Sequence, residues 1–570
     1  MPTFIFLLAL APSTLLAYSL APSATVLNQV AAAVGWAAVV AAVHPTGNRL
    51  TAARTTWPLL LGIGIATISA FSAHLLSGVP VSMTLPPALC VLMAGAVAMA
   101  GSASVRSPQD EAAQGFFRAL VVIGVANVAI ALVQVFTPEL PGGTLIARSG
   151  LPGRAVGNLR QPNHLSSLGL WSAVAVIPLL EQARLRKGWA VALFSLFIFS
   201  VELSASRTGM LGVLVLALWG AADRRLSRHA RALLLSGLLT YAAGWAGMAW
   251  WAEHGHHTFG AAARLSESDL SGSRFGIWSN SWQLMKLHPL AGVGFGDFNF
   301  AWTLSPFPGR PTAFFDHTHN AELQFLVEMG LPAGGALAVL MGVALWQAFR
   351  RSWTAAEPAG AAARACFIVV LLVALHSQLE YPLWYAYFLL PTAWAWGHCL
   401  GTAPDAGEQM ARRSRAPWML AAALMAAGAA WAFHEYLTVS RIFEPAGEER
   451  PLPERIADGR RSVFFGHHAD YAAVTVTEHP STAWPSFRTA PHYLLDTRLM
   501  IAWATAFAER GDLDRARYLA QRLREFMKPE ADEFFAPCSE QPAPQPLPFQ
   551  CELPARAVDW REFRDPALYR

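Results

Sequence analysis

Charged side chains are scarce in this sequence. Of its 570 residues only 14% are Asp, Glu, Lys or Arg, whereas 54% are hydrophobic and 21 are Trp. A soluble domain carries about 25% charged residues, so the composition excludes an ordinary soluble enzyme. Apolar runs that are long enough to cross about 30 Å of hydrocarbon recur along the chain. We therefore predict an all-α polytopic membrane protein.

Cysteine is also sparse, and basic residues barely outnumber acidic ones. The net charge is +4, and because the basic residues sit in short loops we expect no nucleic-acid partner. The five cysteines show no zinc-binding spacing. Cys90, Cys366 and Cys399 fall in apolar runs and are interpreted as core packing. Cys538 and Cys551 lie in a polar stretch, where a disulfide is plausible outside the cytoplasm.

About twelve to thirteen segments are predicted to span the membrane. The first is interpreted as a transmembrane helix and not as a signal peptide, because it lacks a basic n-region and another apolar span follows at once. Connections rich in Lys and Arg alternate with connections that have none, which predicts a cytoplasmic N-terminus. The spans lie near residues 3–20, 24–43, 57–77, 85–101, 116–136, 164–181, 188–203, 206–221, 231–251, 332–349, 363–379, 382–400 and 417–436.

This topology places the long polar segments on the outer side of the membrane. We predict a transmembrane domain over residues 1–436, with a large external catalytic loop at about 252–331. A helical external domain follows over residues 437–570. Within it, residues 496–526 predict two amphipathic helices joined at Gly511-Asp512, which resembles one helix-turn-helix repeat of the tetratricopeptide type.

Five polar clusters fall on the predicted outer side, and each also has an ordinary structural explanation. Arg207 could anchor lipid headgroups, Asn163 and His164 could cap a helix, and Glu380-Tyr381 could mark a helix break. The clusters are GNLRQPNHL (157–165), ELSASRTGML (202–211), the block from SGSRFGIW to GVGFGDF (271–298), FFDHTHNAELQFLVEMGLPAGG (314–335) and HSQLEYPLWYAYF (376–388).

Two motifs in these clusters suggest other chemistry only weakly. GVGFG (292–296) looks like a phosphate-binding loop, but it follows no strand and opens no clear helix. The HTH triplet at 317–319 could be half of a metal site, but no Cys or carboxylate pair accompanies it. We therefore predict no metal and no cofactor.

Taken together, the clusters supply what a site for a phosphorylated, sugar-bearing lipid needs. Arg207 and Arg274 could hold a pyrophosphate bidentately and stabilise the charge that develops as a glycosyl bond breaks. An attacking hydroxyl needs a general base, usually His. His319 precedes a helix predicted at about 320–329, whose positive end favours a neutral ring and attracts phosphate. Asp316 is predicted to orient one of the imidazoles.

The motifs HTHNAELQFLVEMGLPAGG, SASRTG and SRFGIW…HPLAGVGFGDF resemble the O-antigen ligase superfamily. GNLRQPNHLSSLGLW and HSQLEYPLWYAYF resemble its branch of bacterial O-oligosaccharyltransferases, the pilin-glycosylation ligases. The resemblance covers roughly residues 140–400. It implies a metal-independent enzyme of the bacterial inner membrane that acts on the periplasmic face. Such an enzyme moves a preassembled glycan from undecaprenyl pyrophosphate to a hydroxyl, with inversion at the anomeric carbon.

Carried over by motif, the resemblance implies that His319 is the essential histidine and that Arg207 and Arg274 bind the pyrophosphate. The expected acceptor is Ser or Thr of pilin or another exported protein. Ligation of O-antigen to lipid A-core and O-antigen polymerisation are alternatives. A transporter is a further one, against which the nearly charge-free spans argue. The other site candidates are Arg160, Gln161, Asn163, His164, Asp316, His317, Asn320, Glu380 and Tyr381.

Overall fold

The computed structural model describes residues 2–42, 49–105, 111–265, 270–357, 359–402, 415–445, 447, 450–540 and 546–570. The α-helices in these residues are α1 (Pro2–Leu15), α2 (Val26–Ala41), α3 (Arg49–Ser77), α4 (Val81–Ala103), α5 (Glu111–Phe136), α6 (Pro162–Glu181), α7 (Lys187–Leu203), α8 (Arg207–Ala222), α9 (Arg228–Gly255), α10 (Gly260–Leu265), α11 (Leu270–Leu287), α12 (Phe298–Leu304), α13 (Ala321–Thr354), α14 (Ala359–Ser377), α15 (Ala386–Gly401), α16 (Ala416–Phe443), α17 (Leu452–Gly459), α18 (Gly466–Thr475), α19 (Ala490–Tyr493), α20 (Thr497–Glu509), α21 (Leu513–Arg524) and α22 (Asp532–Phe535).

The predicted all-α membrane fold is confirmed. Each predicted span coincides with one of these helices. Within the described ranges, eight of them are long and apolar enough to cross a bilayer, and α1, α2 and α8 are shorter apolar helices. The eight are α3 from Ala53, α4, α5, α6, α9, α13, α14 and α16. The orientation of the helices in the membrane stays a prediction.

The chain divides into two compact units. One unit comprises residues 1–63, 92–268 and 340–431, and the other comprises 64–91, 269–339 and 432–570. We call them the first and the second unit. The predicted division at residue 436 concerns the boundary of the membrane, and it stays a prediction.

Aromatic rings and glycine contacts hold the first unit together. The ring of Trp394 on α15 lies 5.0 Å from that of Phe6 on α1 and 4.7 Å from that of Phe116 on α5. Glycine lets α4 and α15 approach closely, because a Cβ on Gly101 would lie 2.2 Å from the carbonyl oxygen of Trp394. Small residues play this part in membrane helix pairs, where apolar burial against lipid gives little net attraction.

The larger hydrophobic core of the second unit is shared by the loop around α12 and the C-terminal segment. The guanidinium of Arg310 is stacked between the rings of Trp302 and Phe526, at 4.2 and 4.1 Å. It also lies 3.3 Å from the carboxylate of Glu525. Stacking and charge pairing together compensate for burying a guanidinium. Residues more than 200 positions apart in the sequence are thus packed side by side.

Helix α13 is broken near its beginning, as the sequence predicts. Gly330 has a φ of 73° and a ψ of 173° inside the helix. A Cβ at this position would lie 2.3 Å from the carbonyl oxygen of Leu290, so only glycine fits here without displacing the neighbouring backbone. The break separates a short first part, which begins at Ala321, from the long apolar part that follows.

The C-terminal segment contains the predicted helix pair. Helices α20 and α21 are joined at Gly511, which has a φ of 82°, and the side chain of Asp512 caps α21 by accepting from the backbone N–H of Arg515 at 3.2 Å. Cys538 and Cys551 form a disulfide, which confirms the expected pairing. The likeness of the helix pair to a tetratricopeptide repeat stays a prediction.

Candidate functional site

The site candidates fall into two groups, one in each unit. In the second unit the loop of residues 314–320, which we call the histidine loop, carries three titratable side chains in contact. A carboxylate oxygen of Asp316 contacts Nδ1 of His317. Nε2 of His317 lies 3.1 Å from Nδ1 of His319. The three side chains therefore form one continuous chain of hydrogen bonds, as expected for the orienting role predicted for Asp316.

The backbone of the histidine loop is strained and firmly held. His319 has a φ of 56°, in the left-handed region that non-glycine residues rarely adopt. The neighbouring Thr318 is fully buried. Its N–H donates to Oε1 of Gln324 at 2.7 Å, and its carbonyl oxygen accepts from the indole of Trp278 at 2.9 Å. Such strain persists only where surrounding contacts enforce it, and it is common at functional sites.

The histidine loop leads directly into α13. The side chain of Asn320 accepts from the backbone N–H of Leu323 at 2.9 Å, so Asn320 is the N-cap of the helix. This confirms that the histidines lie at a helix N-terminus, where unpaired N–H groups and the helix dipole favour negative charge.

The charge of Asp316 depends on its imidazole neighbours. Its side chain is 54% exposed, and the local loss of water would raise the pKa of the carboxyl. The hydrogen bond with His317 and the charges of the two imidazoles oppose this effect, and the pKa lies below its usual value. Asp316 is therefore ionised at neutral pH and acts as an acceptor.

Arg274 lies on α11, one helical turn before Trp278. Residues four positions apart share one face of a helix, and the indole of Trp278 donates to the histidine loop. The face of α11 that carries Arg274 is therefore the face next to that loop. Arg274 is half-buried.

In the first unit, Asn163 brings two clusters together. Its side-chain oxygen Oδ1 accepts from the hydroxyl of Ser206 at 2.6 Å, and its side-chain nitrogen Nδ2 donates to Glu380 at 3.3 Å. The same hydroxyl of Ser206 caps α8 by accepting from the N–H of Gly209 at 3.0 Å. Arg207 is the first residue of that helix and is exposed. Asn163, Glu380 and the start of α8 thus form one polar cluster.

Three further candidates have structural contacts. Gln161 caps α6 by accepting from the N–H of His164 at 2.9 Å, so the helix is capped by Gln161 and not by the residues after it. The ring of His164 is buried 4.8 Å from that of Tyr385. The guanidinium of Arg160, a residue with a φ of 57°, donates to the carbonyl oxygens of Ala17 and Ala24.

Tyr381 stands where the helices break, between α14 and α15. Its ring lies 5.7 Å from that of Tyr385 and 5.2 Å from that of Trp384. The predicted helix break at Glu380-Tyr381 is confirmed, because α14 ends at Ser377 and α15 begins at Ala386. The residues at this helix break also belong to the polar cluster around Asn163, since Glu380 is the partner of Asn163.

The sequence did not single out Ser206, Trp278 or Asn299. Ser206 carries the usual N-cap signal, a serine immediately before a helix, and this signal could have found it. Trp278 lies within the SRFGIW motif, yet nothing local shows that its indole reaches Thr318. The amide of Asn299 contacts residues 16 and 196 positions away, and no local pattern could reveal this.

Known families match the segments that carry these residues. Residues 191–338 match the O-antigen ligase family, and residues 155–180 match the protein glycosylation ligase family. Residues 364–536 match the C-terminal region of the virulence factor membrane-bound polymerase family. These matches to parts of the chain support the resemblance to the O-antigen ligase superfamily that the motifs indicate. The first match includes Arg207, Arg274 and the whole histidine loop.

One curated protein to which the chain is similar is the General O-oligosaccharyltransferase of Acinetobacter baylyi. The two are 24% identical over 283 residues, which is 48% of this chain and 49% of the relative. The chain thus spans about half the length of the curated relative it matches. The family predicted from the motifs is confirmed.

Proposed function

We propose that this protein is an O-oligosaccharyltransferase of the bacterial inner membrane. Its substrates would be a glycan on undecaprenyl pyrophosphate and a Ser or Thr hydroxyl of pilin or another exported protein, and its site would face the periplasm. The observation that carries the proposal is the contact chain Asp316–His317–His319, because it is the arrangement that a general base requires. The match to protein glycosylation ligases and the name of the relative support a protein acceptor.

The contact chain assigns a role to each nitrogen. Ionised Asp316 accepts the proton on Nδ1 of His317, so Nε2 of His317 is unprotonated. That nitrogen accepts the proton on Nδ1 of His319, and Nε2 of His319 then carries a lone pair. This lone pair is suited to take the proton of an acceptor hydroxyl. The carboxylate stabilises the positive charge that the imidazoles gain during the step.

Transfer by this route conserves atoms and charge. The acceptor oxygen forms a bond to the anomeric carbon while the bond from that carbon to the pyrophosphate breaks, and attack opposite the leaving group inverts the configuration. The hydroxyl proton moves to His319. We propose that Arg207 and Arg274 each bind pyrophosphate oxygens, because a guanidinium makes bidentate hydrogen bonds and stays charged. No metal or cofactor takes part.

The deciding experiment supplies the purified protein with a polyprenyl-pyrophosphate glycan and either pilin or lipid A-core. We expect glycosylated pilin and no glycosylated lipid A-core. O-antigen ligation is the second candidate, because residues 191–338 match the O-antigen ligase family. Transfer to lipid A-core alone would establish that candidate. Elongation of the lipid-linked glycan without either acceptor would indicate a polymerase.

Chelation tests the proposed independence from metals. The two imidazole nitrogens that lie 3.1 Å apart are also the kind of atoms that a transition metal would bind. We expect EDTA to leave the transfer rate unchanged, because the contacts between these groups are explained by hydrogen bonds. Loss of transfer that a divalent ion restores would show instead that the histidine loop holds a metal.

A further inference from the structure

Asn299, near the start of α12, connects the histidine loop to the C-terminal segment. Its side chain is buried, with 5% of its surface exposed. The amide nitrogen donates to the carbonyl oxygen of Phe315 at 2.8 Å, and the amide oxygen accepts from the N–H of Leu495 at 2.9 Å. Phe315 is the residue before Asp316, where the contact chain begins. The side-chain amide of Asn299 therefore joins this end of the contact chain to Leu495 in the C-terminal segment.

The segment on the other side of this bridge is itself fixed. The imidazole of His492 lies 2.7 Å from the fully buried carboxylate of Asp297, which also pairs with Arg564. The ring of His492 stacks on Phe300 at 4.8 Å. Residues 492–495 are therefore held in place by several contacts. Because Asn299 is hydrogen-bonded to both Leu495 and Phe315, the position of this segment fixes the position of the histidine loop.

The C-terminal segment also lies close enough to the histidine loop to act on its charges. Burial raises the pKa of Tyr493 to about 12, and the negative charges of Asp496 and Asp316 contribute to the rise. A carboxylate has this effect only at short range, since charges separated by more than about 8 Å of water are largely screened.

We propose that Asn299 is a positioning residue for transfer, and that through it residues 492–496 form part of the support of the site. The inference rests on the proposed function of the histidine loop. Among uncharged side chains of this size, an amide is the one that donates strongly to a carbonyl and also accepts from an N–H. Displacement of Phe315 by about 1 Å would move Asp316 and His317 out of line, and errors of that size cost on the order of 100-fold in rate.

The test variant is Asn299→Asp in the full chain. At neutral pH an ionised carboxylate still accepts from Leu495 but repels the carbonyl oxygen of Phe315. We expect kcat to fall about 10- to 100-fold while KM for the lipid-linked donor stays within about twofold, because binding groups are unchanged. Hydrogen exchange of residues 314–319 should also become faster, which reports the loop without reference to activity.

The pH dependence of the same variant distinguishes positioning from mere folding. Below its pKa, which burial raises, the introduced carboxyl is protonated and again both donates and accepts. The ratio of variant to wild-type kcat should therefore rise as the pH falls. Because a buried carboxyl also makes folding depend on pH, kcat is expressed per folded protein. On that basis a merely structural role predicts a ratio that does not change with pH.

Tyr518→Phe is the matched control. The Tyr518 hydroxyl donates to the carbonyl oxygen of Leu304 at 2.6 Å, which joins the C-terminal segment to the far end of α12. This variant loses a comparable buried hydrogen bond without touching the histidine loop, and kcat per folded protein should stay within about twofold. An equal loss of kcat in both variants, or a pH-independent ratio for Asn299→Asp, would overturn the inference. Absence of transfer by the wild-type protein to either acceptor would instead refute the proposed function.

Discussion

His319 and His317 differ in backbone conformation and in their contacts. His317 is buried between Asp316 and His319, whereas His319 is the third residue of this contact chain and has a left-handed conformation. In the proposed mechanism His319 takes the proton. The group in the middle only fixes the tautomer and stabilises the charge.

We expect His319→Ala to reach the membrane in normal amounts and to lose transfer by roughly 10²–10⁴-fold, the range of general-base catalysis. His317→Ala should lose less, and Asp316→Asn should show a moderate loss. The measurement is glycosylated acceptor per unit of enzyme, with abundance checked by immunoblot. An inactive His317→Ala beside a nearly normal His319→Ala would reverse the assignment, and two active variants would exclude this loop as the catalytic centre.

Arg207→Lys and Arg274→Lys test the proposed binding of pyrophosphate by these two arginines. Each keeps the positive charge, but an ammonium group cannot reproduce the bidentate fork of a guanidinium. We expect each variant to lose most of the transfer activity, measured as initial rate over a range of donor concentrations. Activity close to wild type in both variants would mean that these arginines only anchor lipid headgroups.

For single residues, the sequence predicts which side chains could take part in the reaction better than it predicts which atoms they contact. Asp316, His317 and His319 are neighbours in the sequence, so their meeting in space could be expected. Arg160 was a candidate because of its charge, but its guanidinium holds the carbonyl oxygen of Ala17, 143 positions earlier. That partner is a backbone atom in another segment. Because every residue type has a backbone carbonyl, the sequence does not indicate this contact.

At the scale of single helices, the apolar segments were predictable because length and hydrophobicity are written in consecutive residues. The first and last residues of these helices were less predictable. The span predicted at 417–436 continues to Phe443, and the one predicted at 57–77 begins at Arg49. Helices extend past the apolar stretch where polar residues also favour helix, and hydrophobicity does not report that extension.

The break in α13 makes a prediction at this scale. Gly330→Ala should lower the free energy of unfolding by about 1–3 kcal/mol, because the alanine would adopt a φ of 73° and meet the carbonyl oxygen of Leu290. Gly342→Ala, in the same helix, has no atom within 4 Å of the added Cβ and should be neutral or slightly stabilising. Thermal unfolding in detergent measures both. Equal melting temperatures would show that the break is not required.

For the whole molecule, the orientation in the membrane is the prediction to test. The alternation of basic and non-basic connections predicts that the last span crosses from the cytoplasm to the periplasm. A reporter fused after Arg415 should report cytoplasm, and one fused after Ala446, which lies outside the described residues, should report periplasm. If both report the same compartment, the last span and the external position of the C-terminal segment are wrong.

The joint core of the second unit was not predictable from the sequence. Reading along the chain gives a loop at 252–331 and a separate external domain after 437. The pairs Arg310–Glu525 and Asp297–Arg564 join these two regions across 215 and 267 positions. Pairing at such separations depends on tertiary packing, whereas the signals in a single sequence are local.

The pairing of Asp297 with Arg564 also determines when this part of the protein can fold during synthesis. Arg564 is synthesised 267 residues after Asp297, which at about 5–20 residues per second is a delay of roughly 13 to 53 s. Throughout that interval the carboxylate of Asp297 lacks its guanidinium, and until His492 is made it lacks both of its partners, so that its burial is strongly unfavourable. The region that carries the histidine loop therefore reaches its final form late. If a ribosome stalls before Arg564, we expect the apolar helices to be made but the histidine loop to lack its final contacts.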